Sequence, residues 1–116
     1  MAVGPDIDGE VVGDVLGDDA VNERIVAIDP YDGEAHTILG RLAMDRNEAA
    51  TATREFKVAL ALNPIDRAVS HTDLARSYFK AGKTADAKKQ TLAALEIAPT
   101  YAPAQELLLQ VVEARP

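Results

Sequence analysis

Three apolar segments of this chain each end in a proline: "RIVAIDP" at 24 to 30, "KVALALNP" at 57 to 64 and "LAALEIAP" at 92 to 99. Pro64 follows Pro30 by 34 residues and Pro99 follows Pro64 by 35. A fixed period in this range points to stacked supersecondary units, since one unit alone cannot bury its own apolar face. The internal spacing repeats as well. The first interval carries His36, Leu39, Gly40, Ala43, Ala52, Phe56 and Pro64; the second carries His71, Leu74, Ala75, Tyr78, Ala87, Thr91 and Pro99 in the same register. The extra residue of the second interval falls before His71, in "NPIDRAVSH" against "DPYDGEAH". A turn is where such an insertion is tolerated most easily.

Within each interval the periodicity is helical. His36, Leu39, Gly40 and Ala43 recur at the spacing of one helix face, and so do Ala52, Phe56, Ala59 and Leu60. The second interval repeats this with His71, Leu74, Ala75, Tyr78 and Phe79, then Ala87, Thr91, Ala94 and Leu95. The small residues Gly40, Ala52, Ala59, Ala75, Ala87 and Ala94 are expected where two helix backbones approach closely. Asn47 and Gly82 are of the types that tolerate a left-handed turn, and Thr84 is expected to cap the helix after it. Each proline ends the second helix of a pair, because the residue before proline is driven out of the helical region. The pattern predicts helices near 18–28, 33–45, 49–62, 67–81, 84–97 and 101–114.

At these positions the chain resembles the tetratricopeptide repeat family. The 34-residue unit of that family runs aromatic, Leu-Gly, Tyr, then Ala, Phe and Pro at fixed spacing. The likeness spans residues 18 to 116, with full units at 33–66 and 68–101. Histidines stand where the family has a large aromatic, Ala43 replaces a tyrosine, and Thr91 replaces the second aromatic. The resemblance implies an all-α fold, a right-handed superhelical solenoid of helix-turn-helix repeats. It would comprise a preceding half unit, the two full units and a C-terminal capping helix at 101–114. Residues 1–17 form a loosely ordered, acidic, Gly-rich arm in this reading.

In that family the first helix of each pair lines a concave binding surface. Carried over position by position, the resemblance implies a peptide-binding groove of Glu34, Thr37, Arg41, Met44 and Asp45, then Val69, Thr72, Arg76, Phe79 and Lys80. The last helix adds Pro103, Glu106, Gln110 and Glu113. Arg41 and Arg76 fall at matching places and, with Lys80, make a basic spot beside Met44 and Phe79. Ordinary solvated helix bases are the alternative account of that spot. Thr37, Arg41 and Asp73 depart from the Lys and Asn set with which some members hold chaperone C-termini, so that subclass is disfavoured. The implied role is a protein-protein interaction module that binds an extended or helical peptide, acidic or with a free carboxylate. The rival reading is a structural or regulatory module appended to a larger bacterial enzyme or secretion protein, packing on its own neighbour domain.

Charge and composition narrow the classes further. The chain has 116 residues and a net charge of -7, but residues 1–34 hold ten acids and one base, so the remainder is about +2. That small excess, without a basic stripe interleaved with aromatics, argues against a nucleic-acid partner. With no cysteine, thiol chemistry and disulfides are excluded. No run approaches the roughly 18 apolar residues of a membrane helix. The start "MAVGPDIDGE" lacks the features of a signal peptide, so no membrane partner is expected; the location is left open, with the cytoplasm favoured for this chain. His36 and His71 lie a helix-packing distance of about 8 to 10 Å apart in the repeat, too far for one metal ion. "DIDGEVVGD" begins like a calcium loop, but the twelfth position from Asp6 is Gly17 rather than the bidentate Glu. No nucleophile-base arrangement, phosphate loop or carboxylate pair stands out, so neither an enzyme nor a cofactor is expected.

The two ends depart from the repeat. "RIVAIDP" reads as a second helix without a complete partner, which leaves Val21, Ile25 and Ile28 as an apolar stripe. Cover by Val11, Val12 and Val15 of the arm, or a homodimer through this N-terminal edge, would bury it. Residues 1–19 carry six acids and no base. Such an arm is either a solvated linker or an internal stand-in for an acidic ligand of the groove. At the other end, Leu107, Leu108, Val111 and Val112 are expected to face inward, with Gln105, Glu106, Gln110 and Glu113 turned to water.

Overall fold

A computed structural model describes residues 23–25 and 29–114 of the chain. The arm at 1–17, Val21 and Ile28 lie outside the described residues. Among the described residues the secondary structure is entirely α-helical. The helices are α1 (Gly33–Asp45), α2 (Ala49–Ala61), α3 (Arg67–Lys80), α4 (Thr84–Ile97) and α5 (Ala102–Glu113). Residues 23–25 are helical too, and the Asp29 amide donates to the Ile25 carbonyl at 2.6 Å. Every helix packs on its neighbours in sequence, and α3 also touches both α1 and α5. The helices therefore form two hairpins and a further helix laid side by side, with the first helices α1, α3 and α5 adjoining.

Small residues set the spacing of these layers. Ala52, Ala75, Ala87, Ala94 and Ala104 have no exposed surface, and Ala59 is buried as well. Phe56 is the large side chain of the first hairpin: it packs with Ala43, Ala52 and Leu74, with Met44, Leu60 and Tyr78 around them. A second cluster joins Ala75, Ala87, Leu107 and Val111 across three helices, and Tyr78 touches both clusters. Lys57 Nζ lies 5.8 Å from the centre of the Tyr78 ring, a cation-π contact that links α2 to α3.

Polar groups inside this core are satisfied locally. Thr72 and Thr91 are fully buried, and their hydroxyls donate to the carbonyls of Ala68 and Ala87, four residues back. Buried Ser77 donates to the Leu74 carbonyl at 2.7 Å, and Thr53 Oγ1 lies 2.9 Å from its hydroxyl. Among the described residues the buried hydroxyls of Thr72, Ser77 and Thr91 all have partners; an orphaned one would cost about 1–3 kcal/mol.

The connections follow from turn chemistry. Asn47, Asn63 and Gly82 have φ of 61°, 56° and 80°, a region that asparagine and glycine enter at least cost. Asp32 caps α1 by accepting from the Ala35 amide, and Asp66 caps α3 by accepting from the Val69 amide. Two expectations are corrected here. Thr84 is the first residue of α4 rather than its cap, and no side chain makes a capping bond there. The extra residue of the second repeat does not sit in a turn. The two capping aspartates are 34 residues apart while the histidines are 35 apart, so α3 absorbs it as one more residue in its first turn. A further correction concerns α5: Leu107 and Val111 face inward, but Val112 is 44% exposed.

Candidate binding trough

Two adjoining hollows lie across the first helices. One of about 330 Å³ is lined by Arg41, Met44, Asp45, Phe56, Asp73 and Arg76. The next, of about 350 Å³, is lined by Met44, Arg76, Phe79, Lys80, Leu107 and Gln110. Because Met44 and Arg76 belong to both, the hollows form one trough that crosses α1, α3 and α5. Its apolar lining is Phe56, Met44, Phe79 and Leu107, and its polar lining is Arg41, Asp45, Asp73, Arg76, Lys80 and Gln110.

The electrostatics centre on Asp73, whose side chain is 9% exposed. Arg41 Nη2 donates to Asp73 Oδ2 at 2.9 Å, and Arg76 Nη1 stands 3.7 Å from Oδ1. Both arginines are about half exposed. Their attraction to Asp73 is therefore screened by water and contributes no more than about 1 kcal/mol per pair. With Lys80 added and Asp45 opposed, the trough keeps a net charge of +1 rather than the three free bases read from the sequence. Arg76 and Lys80 hold most of the uncommitted positive charge.

Of the residues expected in the groove, Arg41, Met44, Asp45, Arg76, Phe79, Lys80 and Gln110 are brought together. Glu34, Thr37 and Val69 instead line a separate hollow of about 430 Å³ with Leu62, Ile65 and Asp66. Thr37 donates to the Gly33 carbonyl at 3.1 Å. Thr72 is a correction: it is wholly buried in the small-residue stripe between Ala68 and Ala75 and presents nothing to a ligand. Pro103, Glu106 and Glu113 line neither hollow of the trough, and Glu106 and Glu113 are exposed. Sequence reasoning set Asp73 at a groove position only as a departure from the chaperone-binding set and missed its pairing with Arg41 and Arg76. Its place three residues before Arg76, on one helix face, was the available signal.

The paired histidines are structural ties within each hairpin. His36 Nδ1 is 2.6 Å from Glu55 Oε1, and its Nε2 is 2.8 Å from the Pro30 carbonyl. His71 Nδ1 is 2.7 Å from Gln90 Oε1. Each histidine thus reaches 19 residues ahead to the second helix of its own hairpin. Burial lowers the His36 pKa, but the Glu55 hydrogen bond, the Pro30 carbonyl and the charges of Glu55 and Asp32 outweigh it, so the net shift is upward. Two acceptors facing one ring explain the direction, because only the imidazolium donates from both nitrogens.

Compared with known proteins, the chain matches no family model, and no curated protein matches it in sequence.

Proposed function

We propose that this protein is a binding module of tetratricopeptide type, a right-handed helical solenoid whose trough across α1, α3 and α5 holds a segment of another protein. One observation carries this reading: two hollows that share Met44 and Arg76 lie side by side across the first helices. The 34- and 35-residue spacing of the closing prolines supports the repeat assignment. The lining supports a binding role, since it sets apolar side chains beside half-exposed bases.

The chemistry of the walls defines the ligand class. An apolar side chain of the bound segment would rest on Met44, Phe79 and Leu107, while a neighbouring carboxylate would meet Arg76 and Lys80. Asp73 tempers this preference by holding Arg41. The test is calorimetric titration of a short peptide in which glutamates flank a leucine. Arg76→Glu/Lys80→Glu should weaken binding by about tenfold, the sum of two exposed charge contacts. Asp73→Asn should strengthen it by about threefold, because both guanidinium groups lose their internal competitor. Equal affinity in all three proteins would refute the assignment.

A further inference from the structure

A further hollow of the described structure lies away from the trough. It is an open cleft of about 690 Å³ between the start of α4 and the outer side of α5, with Lys83, Ala85, Lys88, Val111 and Val112 in its walls. Apolar groups continue outward from it: Leu109 is 64% exposed, and Leu92, one turn after Lys88 on α4, is 43% exposed. No described element covers this face. Exposed apolar residues gathered beside a cleft mark a contact surface rather than a solvated one. The rim is basic, with Lys83 and Lys88 against the single acid Asp86, and neither lysine has an ion-pair partner among the described residues.

The same chain contains a segment of complementary chemistry. In residues 6–16, Ile7, Val11, Val12, Val15 and Leu16 recur at the spacing of one helix face, and Asp6, Asp8, Glu10 and Asp14 supply four acids with no base. We propose that the cleft between α4 and α5 receives residues 6–16 of a second copy of this chain. An amphipathic segment laid with its apolar stripe in a groove is a recurring mode of recognition, and here the acids would meet Lys83 and Lys88.

Topology favours a second copy over the chain's own cleft, and a full chain that stays monomeric would report the latter. Glu23 lines a hollow with Leu39, Arg46 and Glu48 of the first hairpin, which makes no close contact with α4 or α5. The residues from Leu16 to Glu23 span at most about 25 Å. The cleft lies about two helix-packing distances further along the row, roughly 16–20 Å between axes, so a chain's own segment would reach it only with the intervening residues almost fully extended, whereas a second copy's segment meets it without that constraint. The resulting contact is head-to-tail and heterologous, so it extends from dimers to longer chains. The trough is the weaker destination for this segment, since Asp73 already holds Arg41.

Sedimentation velocity over a wide concentration range tests this with the full chain and two variants. One variant lacks residues 1–16 and keeps the cleft. The other, Leu109→Asp/Val112→Asp, keeps the segment and loses the apolar wall; both positions are exposed, so its fold is retained, which circular dichroism would verify. The full chain should at least double its mass with concentration, and less so at high salt. Each variant alone should stay monomeric, while their mixture should form one-to-one dimers that extend no further. A full chain that stays monomeric throughout would overturn the proposal. So would association that survives the truncation, as a dimer through α5 or through the N-terminal edge requires, or association abolished by Arg76→Glu/Lys80→Glu but not by the α5 variant.

Discussion

A Cβ added at Gly40 would stand 2.5 Å from Phe56 Cε1 and 2.7 Å from Cδ1, well inside van der Waals contact. Gly40→Ala would improve helix propensity by about 1 kcal/mol. Forcing a buried aromatic ring aside costs about 1–3 kcal/mol, so the variant should be destabilised, with a lower urea midpoint and an unchanged slope. His36 carries a second prediction at this scale. Its folded pKa is raised above the ordinary 6.5. The stability it contributes is therefore full below the unfolded value and is lost as pH rises through the folded value. Glu55→Gln reproduces the His71–Gln90 pair of the second hairpin and should flatten that part of the pH profile in urea melts. Gly40 was legible as a contact point because a single glycine inside an otherwise good helical pattern calls for a packing reason. The Glu55 and Pro30 partners of His36 were not legible, because they depend on how the hairpin folds back on itself.

The helices themselves were the most readable feature, since period, prolines and turn residues all agreed over 33–114. Their ends depend on finer chemistry. Asp32 and Asp66 cap α1 and α3, whereas Thr84, expected to cap α4, makes no such bond, and urea melts should separate the two cases. Asp66→Ala should cost about 1 kcal/mol as a lost cap, while Thr84→Ala should cost nearly nothing, as no capping bond exists there. Gly82→Ala should cost a further 1 kcal/mol or about that, because alanine at φ 80° is strained. The exposure of Val112 escaped the sequence reading for a physical reason. A helix periodicity identifies the apolar stripe but not how much of it a neighbour covers, and α5 has α3 and α4 on one side only.

At the scale of the molecule, the sequence placed positive charge on the first helices but could not weigh it. Arg41, Arg76 and Lys80 do gather with Met44 and Phe79, yet Asp73 neutralises part of that charge from within α3, a pairing that the cross-helix geometry alone reveals. Register carried over between repeats located α1 and α3 residues near the trough. It failed at Thr72, which lies on the buried side of α3, while Glu34, Thr37 and Val69 border the 62–66 turn in a hollow of their own. The central claim is that the trough across α1, α3 and α5 is the binding surface. Amide NMR mapping with the glutamate-leucine peptide tests it most directly. The account predicts that shift changes concentrate on Met44, Asp73, Arg76, Phe79, Lys80 and Gln110 and vanish in Arg76→Glu/Lys80→Glu. Changes confined to the 62–66 turn or to the cleft beside Val112, or none at saturating peptide, would contradict it.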